Sequence, residues 1–352
     1  MFRFGFAVAA FVALGPVGAL AQSSSSSSAK TFEPSLYMQF QYRDSNEVTS
    51  SAFRGQHGLH FRRLRFGGTF RVDDATTARF VFDGASGDNQ DEASLKEAFI
   101  RHTVKSGVTP LMFQFGQFPL PIGYELHRSS ADREMPEFSL YNRLLFPGEQ
   151  IRGVMASGTF GPSSASVGVF NALVNDDPEQ DGQTPSPGGR MAVFGRYQMS
   201  GKQISGGVSG FFGERPAFVG TSATSPAADR ALISLDLTYK DMLPGLTLRS
   251  EYLTGRDRVG TAAGNVGATD KPLSGWHVQL SQEVGGVGTV FGRFGGFDTD
   301  TQTDGNAYQE YGLGIRRELA KGLTATVAFE RIFNPNRPRS YSVSTFRIQY
   351  RF

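Results

Sequence analysis

The side chains with most chemistry to offer are arginines, and period-two spacing sorts them onto one side of the chain. The stretch Phe61-Arg62-Arg63-Leu64-Arg65-Phe66 continues to Phe70-Arg71-Val72. Leu64, Phe66, Phe70 and Val72 share one face of such an extended segment, so Arg63, Arg65 and Arg71 share the other. The same parity places Arg79, Arg101, Arg196, Arg249, Arg293, Arg316, Arg347 and Arg351 on the polar faces of their own segments. A guanidinium stays charged at every physiological pH and grips carboxylate or phosphate in a rigid fork. A column of them is the chemistry of an anion path. Asp83, Glu97, Asp236, Glu251, Glu310 and Glu330 fall on the same faces, however, and pairing with them is the competing use of these arginines.

Other chemistries find little support. There are five histidines and no cysteine, and no His-Glu-x-x-His, so no zinc set is expected. His277 and Ser281 share a strand face and could be imagined in a hydrolase; two polar wall residues is the simpler reading. Gly285-Gly286-Val287-Gly288 is a turn, because no helix follows to make it a phosphate loop. The acidic run from Asn175 to Asp181 reads as a solvated loop. No cofactor is implied. A net charge of +2 gives no bulk signal for nucleic acid.

The elements that hold these side chains are strands. At the C-terminus Phe346, Ile348, Tyr350 and Phe352 alternate with Arg347, Gln349 and Arg351. The alternation recurs around Leu323–Phe329, Tyr311–Ile315, Trp276–Leu280, Ile233–Tyr239 and Leu36–Tyr42. Thirty-one phenylalanines coexist with a mean hydropathy below zero. That combination arises when one strand face meets lipid and the other water.

Connections alternate in length. Asp73–Thr76, Gly161-Pro162, Ser200–Lys202, Asp241–Gly245 and Gly285-Gly286 are short; Asp44–Gly58, Asn171–Gly189, Glu214–Asp229, Gly255–Lys271 and Phe333–Ser340 are long and rich in Gly, Pro, Asp, Asn and Ser. Short turns at one end and long loops at the other mark a transmembrane barrel. The expected fold is all-β: a closed antiparallel barrel of about sixteen strands over residues 35–352, wide enough for a water-filled lumen. Its rhythm breaks once, from Gln117 to Gln150, where Pro119, Pro121, Pro136 and Pro147 interrupt any strand. Leu120, Ile122, Tyr124, Phe138, Leu140, Tyr141 and Leu144 in that stretch need burial, which an external loop would not give. It is therefore expected to fold inward as a third loop that narrows the channel. Glu125, Arg128, Arg133, Glu137 and Arg143 are its charged candidates.

The N-terminus carries Arg3, an apolar run from Phe6 to Leu20 and the small-x-small ending Ala19-Leu20-Ala21. This is the pattern of an export signal over residues 1–21. Residues 22–34, with six consecutive serines, read as a disordered leader. Export, absence of cysteine and an alternating final strand ending in Phe352 point to a bacterial outer membrane. The expected contacts are its lipid and lipopolysaccharide and, through the last strand, the barrel assembly machinery.

Three stretches resemble the phosphate-selective porin O and P family: Phe61–Phe70; Gly116-Gln117-Phe118-Pro119-Leu120-Pro121-Ile122-Gly123-Tyr124-Glu125; and Leu145-Phe146-Pro147-Gly148-Glu149-Gln150-Ile151-Arg152-Gly153-Val154. They stand in the family's order along the whole barrel. The resemblance implies a sixteen-stranded homotrimeric channel with an inward third loop, passing small anions such as phosphate. The sequence departs from it where Pro119 replaces a basic residue and where Gly116–Gln150 contains no lysine. A general diffusion porin is the alternative; a barrel enzyme or adhesin is the alternative of another class.

Overall fold

The computed structural model describes residues 30–46, 58–85, 93–105, 109–146, 150–174, 191–215, 228–259, 269–333 and 340–352. The expected export signal and the serine run lie outside these. The strands are β1 (Thr31–Ser45), β2 (Gly58–Arg71), β3 (Thr76–Asp83), β4 (Ser94–Val104), β5 (Leu111–Pro119), β6 (Gln150–Phe160), β7 (Ser163–Val174), β8 (Ala192–Ser200), β9 (Ile204–Arg215), β10 (Ala228–Tyr239), β11 (Leu246–Val259), β12 (Thr269–Val284), β13 (Gly288–Asp298), β14 (Tyr308–Ala320), β15 (Leu323–Phe333) and β16 (Tyr341–Arg351). A six-residue helix, α1 (Leu140–Leu145), lies between β5 and β6.

Each strand pairs antiparallel with its sequence neighbours, and β1 pairs with β16, so the sheet closes on itself. Closure removes the free edges that an open sheet of alternating aromatics would expose. The closing register sets Phe40 opposite Ile348 and Gln39 opposite Gln349. Parity then decides the faces. Ile233, Leu235, Val327, Phe329 and Phe346 are exposed, whereas Arg293, Glu310, Glu330 and Arg347 are buried. A single chain offers nothing outside the wall to cover those charges, so their face is the inside of the barrel. On the outside, Trp276, Phe294, Tyr311 and Phe333 form a continuous aromatic band, with ring centroids 4.9, 4.8 and 5.6 Å apart.

The turns at one end are short. Lys321-Gly322 joins β14 to β15, with Gly322 at φ +76°, where a side chain on that backbone would be strained. The connections at the other end are longer, as the sequence rhythm requires.

Three expectations are corrected. β1 begins at Thr31, so the last residues of the expected leader belong to the barrel; Phe32 packs on Phe70 at 4.5 Å and on Phe80 at 6.1 Å, which holds them there. The connection after β5 spans 120–149, because Pro119 and Gln150 still pair as strand ends. Residues 255–259 and 269–271, read as loop, continue β11 and β12 in register. Toward these ends the two strands carry polar residues on both faces, and their sequence then looks like a loop.

Candidate functional site

The residues from Leu120 to Phe146 form one body against the inner wall. Leu120, Ile122, Leu126, Phe138, Tyr141, Leu145 and Phe146 are all buried. They join a cluster with Ile151, Phe170, Phe194, Phe211, Leu232, Leu253, Leu273 and Phe297. Burying large apolar side chains is worth roughly 1.5–3 kcal/mol each, enough to hold a segment without regular structure. The wall side chains it meets on β6–β13 break the polar-inside rule, and they do so where this segment covers them.

Polar bonds fix its path. At Gly123 the backbone turns with φ +62° and comes so close to Glu251 of β11 that a Cβ would lie 2.2 Å from its Oε1. The N–H groups of Tyr124 and Glu125 donate to Glu251 Oε2 at 2.7 and 3.3 Å. Glu125 in turn accepts from the Ser139 N–H at 2.9 Å, the Ser139 hydroxyl at 2.6 Å and Asn142 at 2.9 Å, tying the start of the segment to α1. Tyr141 Oη and His277 Nδ1 lie 3.0 Å apart.

Two charged clusters flank the segment. In the first, Arg293 of β13 meets Glu125 at 3.3 Å, Glu330 at 2.9 Å and Glu310, and donates to the carbonyls of Glu137 and Phe138. Arg143 approaches Glu310 and Glu330 at 3.5 and 3.9 Å. In the second, the Glu137 carboxylate lies among Arg62, Arg63 and Arg347. A third contact, the buried pair Arg230–Asp257, bonds at 2.7 and 2.8 Å and donates to the Leu145 carbonyl at the end of α1.

Burial acts to raise the Glu125 carboxyl, but the charges of His277 and Arg293 and the bonds from Ser139 and Asn142 outweigh it, holding it at about 2. Burial likewise opposes ionisation of Glu137, and its three arginines hold it well below the usual carboxylate range. Both shifts are downward from an unfolded value near 4.3, so each stabilising contribution is present above that pH and is lost progressively as pH falls from there through the folded value. Hydrogen-exchange protection of the Tyr124 and Glu125 amides, read at the test pH and corrected for the intrinsic rate, should be equal at pH 7 and pH 4.5. It should decline progressively below about pH 4. Loss near pH 4.5 would mean that these carboxylates are not held as described.

Of the arginines expected on one path, Arg65 pairs with Asp83 at 2.7 Å, Arg79 with Glu97 at 2.6 Å and Arg196 with Asp236 at 2.7 Å. Arg249 pairs with Glu134 at 2.8 Å, and Arg351 with Asp132 at 2.7 Å. Arg71 lies 3.8 Å from Glu33 at the turn end. Arg101 holds Gln114, and Arg316 holds the carbonyls of Ala131 and Arg133. In the segment, Arg128 lies over the Tyr124 ring at 4.7 Å and Arg133 over Phe138 at 3.5 Å. They are therefore distributed among ion pairs, carbonyls and rings around the wall, with Arg63 and Arg347 brought together. His277 and Ser281 have different partners, Tyr141 for one and Arg249 and Gln279 for the other.

Parity missed Arg62. A bulge between Gln39 and Phe40 shifts the register so that Phe40 faces Phe61 and Gln39 faces Arg63. One extra residue on β2 sends Arg62 and Arg63 to the same cluster. Arg230 was also missed, although parity run back from Ser234 through Leu232 leads to it.

No family model matches the chain, and no curated protein matches it by sequence. Solved structures do. The anion-selective porin from Comamonas acidovorans superposes with a TM-score of 0.61 at 14 % identity, over 92 % of this chain and all of that one. The trimer form of OmpT, an outer membrane protein of Vibrio cholerae, gives 0.61 at 10 % identity with the same coverage. A porin refined at 1.8 Å gives 0.51 at 14 %, again over 92 % of this chain and all of that one. At these identities the likeness establishes the fold, which is the sixteen-stranded barrel of bacterial outer-membrane porins.

Proposed function

We propose that the chain is an outer-membrane channel for passive diffusion of small solutes, with a preference for anions such as phosphate or other oxyanions. The observation that carries the reading is the closed sixteen-strand barrel with its faces inverted, apolar residues outside and charged residues inside. Such a wall suits lipid on one side and water on the other, and charges facing lipid would cost several kcal/mol, ~2–4 at mid-bilayer. In this reading residues 120–146 belong to an inward loop that narrows the pore, transport is non-enzymatic, and the protein assembles as a homotrimer. The OmpT trimer and the anion-selective porin are consistent with that.

The anion preference rests on charge balance. Three arginines meet the Glu137 carboxylate, and Arg101 and Arg316 donate to neutral oxygens. The pairs Arg65–Asp83, Arg79–Glu97 and Arg196–Asp236 favour the second reading, a non-selective diffusion porin. Replacing Arg63 and Arg65 by glutamine and comparing chloride with potassium permeability separates the two. A fall in the chloride-to-potassium ratio of several-fold is expected; an unchanged ratio rejects the anion path. Millimolar phosphate should reduce chloride current if oxyanions bind on the way, and absence of block rejects phosphate as a solute.

A further inference from the structure

The Glu137 cluster has the form of an occupied binding site. Arg62 meets the carboxylate side-on, Nε to Oε1 at 3.0 Å and Nη2 to Oε2 at 3.1 Å. Arg347 Nη2 adds a bond to Oε1 at 3.0 Å, and Arg63 Nη2 one to Oε2 at 3.4 Å. The Glu137 carboxylate is shared among three guanidiniums.

The cradle does not depend on Glu137 for its shape. Arg63 Nη1 donates to Gln39 Oε1 at 2.8 Å. Arg347 donates to Gln41 Oε1 through Nε and Nη2 at 2.9 and 2.6 Å, and through Nη1 to the Pro136 carbonyl at 2.9 Å. Gln41 is itself bonded to His60 at 3.0 Å. These neutral partners hold two guanidiniums in place without consuming their charge. The third sits on the β2 bulge, anchored to a different strand from Arg347. Access is one-sided: the Arg62 and Glu137 side chains keep 23 % and 14 % of their surface, while Arg63 and Arg347 keep 4 % each and form the back wall. A preorganised, partly open cradle of guanidinium donors is what recognises a small oxyanion.

We propose that Arg62, Arg63 and Arg347 form an exchangeable site for small carboxylate-bearing solutes, in which Glu137 is the resident occupant that an incoming carboxylate displaces. The passage of that solute rests on the channel reading; the existence of the site does not. Exchange limits occupancy in the natural chain, because a solute must compete with a tethered carboxylate of high effective concentration.

The test uses full-length protein folded in detergent, with acetate as probe and chloride at equal ionic strength as control. Glu137→Ala is expected to melt at a lower temperature than the natural chain, and acetate, unlike chloride, is expected to restore a large part of the loss. Arg62→Ala added to Glu137→Ala should abolish that rescue. Equal shifts by acetate and chloride, or a rescue that survives loss of Arg62, would overturn the site. If Glu137→Ala does not fold, the isosteric Glu137→Gln serves: calorimetry should give at least a tenfold tighter acetate affinity than the natural chain, and equal affinities would overturn the proposal. Rescue by acetate in a protein that forms no conducting steps would keep the site and reject the channel.

Discussion

Arg293→Ala is expected to release the segment between β5 and β6 from the wall. Arg293 is fully buried at the meeting point of Glu125, Glu310 and Glu330, and the same two terminal nitrogens that meet these carboxylates also donate to the carbonyls of Glu137 and Phe138. Removing it leaves Glu310 and Glu330 to share Arg143, and Glu125 with its hydrogen bonds from Ser139 and Asn142. Breaking a buried pair by deleting one partner costs about 3–5 kcal/mol, and here one deletion affects three partners. The wall strands keep their backbone ladders, so the loss should fall on the segment rather than on the barrel. Trypsin should then cut at Arg128 and Arg133 in detergent-folded variant and spare the natural chain, while heat-resistant migration of the barrel persists. Single-channel conductance should rise at least several-fold. A variant with natural protease resistance and natural conductance would mean that the segment is held by its apolar face alone.

Gly123→Ala has the second largest expected effect, through two separate causes. The backbone there has φ +62°, which costs a residue with a Cβ about 1–2 kcal/mol. The new methyl would also lie 2.2 Å from the Glu251 carboxylate, which must move and give up the N–H groups of Tyr124 and Glu125. Leaving such groups unpaired costs about 1–3 kcal/mol. The sum, on the order of 2–5 kcal/mol, should appear as a lower denaturant midpoint for loss of trypsin protection. In a Glu251→Ala background the same glycine replacement should cost only the backbone part. Equal costs in the two backgrounds would show that the contact with Glu251 is not what requires glycine.

The barrel was readable because its rule is local. Phe346, Ile348 and Tyr350 against Arg347 and Gln349 carry period two within six residues, and the faces of β16 follow from it; its register against β15 and β1 keeps like faces together. The Gln117–Gln150 stretch was visible as a break because prolines cannot continue a strand and its apolar residues demand cover. What parity could not supply was any fact that depends on which strand faces which across the lumen. Nothing in the sequence near Glu137 announces Arg62 and Arg347, which lie 75 and 210 residues away. A bulge is one residue long and leaves alternation intact on both sides, so Arg62 read as outward. The apolar inner positions Phe211, Leu253 and Phe297 contradict the polar-inside rule for a tertiary reason, the segment lying on them. Helix α1 is too short for a 3.6-residue period to show, and it is held by Glu125 and Glu310 rather than by propensity.

The proposed function requires that this barrel conducts and that its interior favours anions. The most direct test is the reversal potential of the purified, folded protein in a planar bilayer under a potassium chloride gradient. The account predicts discrete conductance steps whose current reverses on the chloride side of zero. Steps that reverse at the potassium side, or a folded barrel that gives no steps at all, would contradict it.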